Sequence, residues 1–109
     1  MNDGHPVLQI VEERDLGRIR VRVRGELDLA TAPLLGEALS RLRERGEPVV
    51  LDLDELAFID MSGLRAVLAA AEKASGNGGA FAITEGSSQV RRLIALVRLD
   101  GQLPRDGSA

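Results

Sequence analysis

The sequence predicts a single α/β domain whose mixed β-sheet begins with an antiparallel hairpin and continues as βαβα units. Three observations predict it. A stretch near the N-terminus alternates strictly between apolar residues and arginine, which is the period of a half-buried strand. Two later apolar runs, at 49–53 and 80–84, have the short, near-continuous character of strands covered on both faces. Apolar residues at helical spacing come before, between and after those two runs. A strand–helix–strand crossover normally sets its strands parallel, so the hairpin is what makes the sheet mixed.

The hairpin comes first. In Arg18-Ile19-Arg20-Val21-Arg22-Val23-Arg24 the three aliphatic residues share one face and the four arginines the other. Val7-Leu8-Gln9-Ile10-Val11 supplies its partner, and 12–17, with Asp15 and Gly17, reads as a loose loop between them. After Gly25-Glu26-Leu27-Asp28 the period changes to 3.6: Leu35, Leu39 and Leu42 with Ala38 mark a helix over about 31–45. Thr31 is the expected N-cap, Pro33 falls in the first turn, and Gly46 with Pro48 ends it. Val49-Val50-Leu51-Asp52-Leu53 is the next strand, followed by a helix with Leu64, Val67, Leu68 and Ala71 on one face that stops near Gly76-Asn77-Gly78-Gly79. A strand over 80–84 and a helix capped by Ser87 or Ser88, with Val90, Leu93, Ile94 and Val97 inward, complete the order.

A chain of 109 residues, 44% hydrophobic and 28% charged, has room for one core and no second. The domain is expected to span 1–109, with its core over about 7–103 and a flexible tail over 104–109. No apolar run reaches the roughly 18 residues of a membrane span, and the start lacks a secretory signal, so no membrane association and a cytoplasmic location are expected. Without cysteine there is no disulfide, thiol nucleophile or zinc–thiolate site, and His5 alone builds no multi-histidine metal site. Neither metal nor cofactor is expected. The arginine row could be a nucleic-acid footprint, but the net charge is −3 and the only aromatics are Phe58 and Phe81. With nothing to stack bases, a solvated strand face is the better reading, and no nucleic-acid partner is expected.

The stretch from Asp52 to Leu64 leaves a buried strand and enters a helix, the place where open α/β sheets carry their sites. Ser62 lacks the neighbouring base and the Gly-x-Ser-x-Gly elbow that a hydrolase needs. Asp52, Asp54 and Asp60 could hold magnesium for phosphoryl transfer, but such a site also wants acids after the first strand and a lysine after a late one. Neither is present. No phosphate-binding Gly-rich loop ending in Lys-Ser or Lys-Thr occurs. Sequence physics alone therefore reads Ser62 as an N-cap, with Asp60 sharing the duty and Asp28 doing the same for the first helix.

Gly25-Glu26-Leu27-Asp28, the strand 49–53 and above all Phe58-Ile59-Asp60-Met61-Ser62-Gly63-Leu64 resemble the STAS domain of anti-sigma-factor antagonists, over nearly the whole chain. The resemblance implies a mixed sheet flanked by helices, and a binding protein rather than an enzyme. It implies that the unphosphorylated form binds an anti-sigma factor that is also a serine kinase. It further implies that phosphorylation of Ser62 ends that binding and that a separate serine phosphatase restores it. The family often has a small hydroxyl residue before this serine, where this chain has Met61.

The docking surface is then expected around the two helix entrances, at Asp28, Asp60, Met61, Gly63, Leu64 and Arg65. Leu64 is either core or interface, Arg65 either contact or solvated surface, and Gly63 permits close approach of either a neighbouring element or the partner. The domain is expected to be a monomer or a weak dimer. The alternative is a STAS binding module outside sigma control, as a stressosome-like scaffold or the partner of a lipid-transport ATPase.

Overall fold

In the computed structural model, which describes residues 7–76, 80–98 and 103–106, β1 (Gln9–Asp15) pairs antiparallel with β2 (Arg18–Leu27). Their register is unbroken from Gln9↔Arg24 to Asp15↔Arg18. The loose loop expected over 12–17 is therefore strand as far as Asp15, closed by the two-residue turn Leu16-Gly17. Both turn residues have positive φ, 55° and 82°, the backbone twist that suits a tight hairpin. The polar 12–15 run forms strand because its acids pair with the arginine row of β2 instead of burying: Asp15 lies 3.2 Å from Arg20 and Glu13 3.2 Å from Arg22.

β2 alternates as its sequence dictates, with Ile19, Val21 and Val23 buried and the arginines on the other face. That face is a half-buried ionic ladder rather than a freely solvated surface. Arg18 meets Asp106 at 3.2 Å, Arg20 meets Asp52 at 3.0 Å and Arg24 meets Glu55 at 2.9 Å. Burial by itself lowers the Arg20 pKa, but the hydrogen bonds and charges of Asp15 and Asp52 outweigh it, so the net direction is upward.

α1 (Ala32–Glu44) follows, with Leu35, Ala38, Leu39 and Leu42 turned to the core. β3 (Val49–Ile59) lies parallel to β2 in a four-stranded sheet of order β1-β2-β3-β4. Sequence periodicity ends this strand at Leu53, yet it continues to Ile59 through two register shifts against β2. Each shift inserts one extra β3 residue, so the buried positions Leu53, Leu56 and Ile59 stand three apart instead of two.

α2 (Met61–Gly76) buries Gly63, Leu64, Val67, Ala71 and Ala74, and β4 (Phe81–Ile83) then pairs parallel with the start of β3. The Gly-rich turn expected after α2 begins at its last residue, Gly76, and 77–79 lie outside the described residues. α3 (Ser88–Val97) is capped by Ser87, whose hydroxyl accepts from the Val90 amide at 3.4 Å. Beyond it the chain returns to the sheet edge: the Ile83 amide donates to the Pro104 carbonyl at 2.8 Å and the Asp106 amide to the Ile83 carbonyl at 2.7 Å. Residues 104–106 thus join the sheet rather than fray, while 107–109 lie outside the described residues.

The inner faces of α1, α2 and α3 meet the sheet in one core that includes Val21, Leu27, Leu35, Leu51, Leu64, Val67, Ile83 and Ile94. Burying a side chain of this size stabilises a domain by about 1.5–3 kcal/mol, so the core fixes where β2 and β3 end. Those two strand ends carry the site.

Candidate functional site

β2 and β3 finish side by side, and α1 and α2 start where they finish. The Asp60 amide donates to the Leu27 carbonyl at 3.2 Å, which brings together the two aspartates, Asp28 and Asp60, that open the helix entrances. Gly63 sets the spacing. A Cβ at that position would run into the carbonyl and side chain of Leu27, so its close approach is to β2, a neighbouring element, in the folded chain itself.

The cap of α2 is Asp60. Its Oδ1 accepts from the Gly63 amide at 3.0 Å, and its carbonyl accepts from the Leu64 amide at 2.9 Å. Ser62, read from sequence as the cap, is instead the second residue of the helix and half-buried. Its hydroxyl makes no hydrogen bond among the described residues. Met61 beside it is 36% exposed, and Arg65 is exposed one turn on. Leu64 is 1% exposed and sits in the core, so of its two readings the structural one holds and it does not line the surface.

At the other entrance, Asp28 Oδ1 accepts from the Ala30 and Thr31 amides at 3.0 and 3.1 Å. Thr31, the residue expected to cap α1, makes no side-chain cap there. Its hydroxyl accepts from the Asp28 amide at 2.9 Å and donates to the Glu26 carbonyl at 2.7 Å, tying the 28–31 turn to the end of β2. Two apolar residues outside the expected docking surface flank this arrangement. Leu29 is 76% exposed in the 28–31 turn, and Phe58, 41% exposed, stands in register with Glu26. A lone leucine in a polar turn belongs to no periodic pattern, so only the fold reveals it.

The three acids weighed for a metal are directed elsewhere. Asp52 meets Arg20 and Arg22 and accepts from the Asp54 amide at 3.0 Å, Asp54 accepts from the Gly86 amide at 2.9 Å, and Asp60 caps α2. Among the described residues no three acids or histidines converge as metal ligands. Nor is any helix among them long and apolar enough to cross a membrane. A cleft of about 100 Å³ between the C-terminal ends of α1 and α2, with Arg43, Glu47 and Phe81 in its lining, lies at the opposite end of the sheet from Ser62.

A family model described as "Mlab, STAS domain" matches residues 10–105. The chain belongs to the STAS family. This STAS domain is 34% identical over 101 residues to the anti-sigma F factor antagonist of Paenibacillus polymyxa, a match covering 89% of the chain and 85% of that protein. To the anti-sigma-B factor antagonist of Bacillus subtilis it is 28% identical over 81 residues, 74% of each. A crystal structure of an anti-sigma factor antagonist from Mycobacterium paratuberculosis superposes with a TM-score of 0.81 at 30% identity, covering 93% of this chain and 86% of that one. The STAS domain thus sits within the anti-sigma factor antagonist family. Among the described residues its helix entrances present the Ser62 hydroxyl without a hydrogen bond, exposed Met61 beside it, and the Asp28 and Asp60 carboxylates bonded to backbone amides.

Proposed function

We propose that this STAS domain, when unphosphorylated, binds an anti-sigma factor with serine-kinase activity and so releases a sigma factor. Phosphorylation of Ser62 ends the binding, and a serine phosphatase restores it. The protein acts in the cytoplasm as a binding partner, not as an enzyme. The observation that carries this reading is the Ser62 hydroxyl itself. It stands in the first turn of α2, has no partner among the described residues, and lies beside exposed Met61 because Asp60 has taken over the cap. Asp60, Met61 and Arg65 form the contact surface at one entrance, Asp28 shapes the turn that completes it at the other, and Gly63 holds the two halves together.

The electrostatics have the right size for a switch. A phosphate adds about −1.5 to −2 charges. At roughly 6 Å and an effective dielectric near 20, each pair of like unit charges costs ~3 kcal/mol, about a hundredfold in affinity where the partner presents an acid. The N-terminus of α2 returns only ~0.3–1 kcal/mol, and does so within the domain. Phosphorylation therefore alters docking and leaves folding nearly untouched.

The deciding experiment is intact mass with site mapping after incubation with ATP and each serine-kinase anti-sigma factor of the same organism. One added phosphate, absent in Ser62→Ala, is the expected result. If none of them modifies the protein and affinity capture recovers a scaffold component or a transporter subunit, the sigma assignment falls and the STAS family stands.

A further inference from the structure

We propose that Leu29 is the apolar anchor of this docking surface, held out by the 28–31 turn to enter an apolar pocket of the anti-sigma factor, with Thr31 as its positioning residue. The inference rests on the partner reading given for Ser62. A single exposed leucine is ordinary on a protein surface. Two features set Leu29 apart.

The first is rigidity. A set of hydrogen bonds locks the turn, among them the Ala30 and Thr31 amides to Asp28 Oδ1, the Asp28 amide to the Thr31 hydroxyl, that hydroxyl to the Glu26 carbonyl, and the Ala32 amide to the Asp28 carbonyl. A leucine on a mobile loop would fold back onto nearby apolar surface. Here it stays 76% exposed. A side chain carried on a turn whose backbone is already fixed has only its own rotamers to lose on binding, so more of its burial appears as affinity than on a mobile loop.

The second is company. Phe58 faces Glu26 in register and Met61 opens α2, so these exposed side chains and Leu29 belong to the three segments that meet at the Leu27 carbonyl, beside Ser62. The Asp28 carboxylate, expected to orient the partner directly, is instead turned onto the amides of its own turn and acts through Leu29. A phosphate on Ser62 would keep its water at the rim of this contact, which couples the anchor to the switch.

The test uses the full chain and the serine-kinase anti-sigma factor of its organism that phosphorylates it, with affinities from titration calorimetry. Leu29→Ser is expected to weaken binding about ten- to a hundredfold. It should also raise KM for Ser62 phosphorylation with kcat unchanged. Leu29→Met is expected to restore affinity to within a few-fold. Leu16→Ser is the control, since Leu16 is 87% exposed but lies at the far end of β2, and it should bind as wild type. Leu29→Ser should lose most of its effect in a Thr31→Val background, an outcome that a merely structural Thr31 would not produce. Wild-type affinity of Leu29→Ser, with Ser62→Asp not binding, overturns the anchor and keeps the switch. Wild-type affinity of both variants, or no anti-sigma factor that binds, overturns both.

Discussion

The Asp60 carboxylate accepts a hydrogen bond from the Gly63 amide at 3.0 Å, and this one cap leaves the Ser62 hydroxyl without a structural task. Helix stability and the modifiable hydroxyl are thereby carried by different residues. Asp60→Ala is expected to lower stability by about 1 kcal/mol, the ordinary value of an N-cap. For a domain of this size that is a fall in Tm of about 4–8 °C. Ser62→Ala removes no hydrogen bond among the described residues, so its Tm should stay close to wild type. Thermal unfolding of the two variants side by side checks the division, and a larger loss for Ser62→Ala would reverse it.

Ser62→Asp should weaken binding to the anti-sigma factor while scarcely moving Tm. The added carboxylate stands in the first turn of α2, where the helix dipole favours a negative charge by about 0.3–1 kcal/mol. Its effect on the partner is a like-charge or desolvation cost, which has no counterpart in the free domain. Equal affinity of Ser62→Asp and wild type would remove the proposed switch.

How much of this was legible in the sequence follows from which residues obey a period. β2 and the inner stripes of α1, α2 and α3 are written in spacings of two and 3.6, and they stand where those spacings put them. The second half of β3 was hidden because its two bulges turn the inward spacing into three, at Leu53, Leu56 and Ile59. The outer half of β1 was hidden because Glu12, Glu13 and Asp15 have low strand propensity, and the cross-strand pairs Glu13–Arg22 and Asp15–Arg20 compensate for it. At the site, the motif pointed to the right turn but made Ser62 the cap, with Asp60 only sharing the duty, whereas Asp60 is the cap. What decides it is tertiary: Gly63 has to touch Leu27, and that contact fixes where α2 begins. Leu29 carries no sequence signal, since its exposure is set by the Asp28 and Thr31 bonds.

Two glycines in helices should respond oppositely to alanine. At Gly63 a methyl group would strike the Leu27 carbonyl, so Gly63→Ala is expected to destabilise by roughly 1–3 kcal/mol, as other overpacked sites do, and to move the α2 entrance away from β2. Gly36 lies inside α1, and an alanine methyl there would meet nothing within 4 Å, so Gly36→Ala should stabilise by about 0.5–1 kcal/mol through helix propensity alone. Denaturant midpoints of both variants give the comparison. Only the first should also weaken partner binding, because only it displaces Asp60 and Met61.

The ionic ladder on the arginine face supplies the remaining prediction. Asp52 has a side chain 10% exposed and bridges Arg20 at 3.0 Å and Arg22 at 3.7 Å. The two arginines are more open, 22% and 36% exposed, so the loss from Asp52→Asn falls between the surface and the buried limits, about 2 kcal/mol. Asparagine keeps the oxygen that accepts from the Asp54 amide, which isolates the charge. By contrast, the Arg24–Glu55 pair is 61% and 47% exposed, and Glu55→Gln should change stability by less than about 0.5 kcal/mol. The pH dependence has a definite sign. Arg20 has its pKa raised by Asp15 and Asp52 against the opposing effect of burial. A raised pKa gives stability that is fully present below the unfolded value and is lost only as pH climbs through the folded one. For arginine that window is strongly alkaline. The stability difference between wild type and Arg20→Gln should therefore stay constant from neutral pH to about pH 10, and a difference that shrinks over that range would show that the ladder is not held by the Arg20 charge.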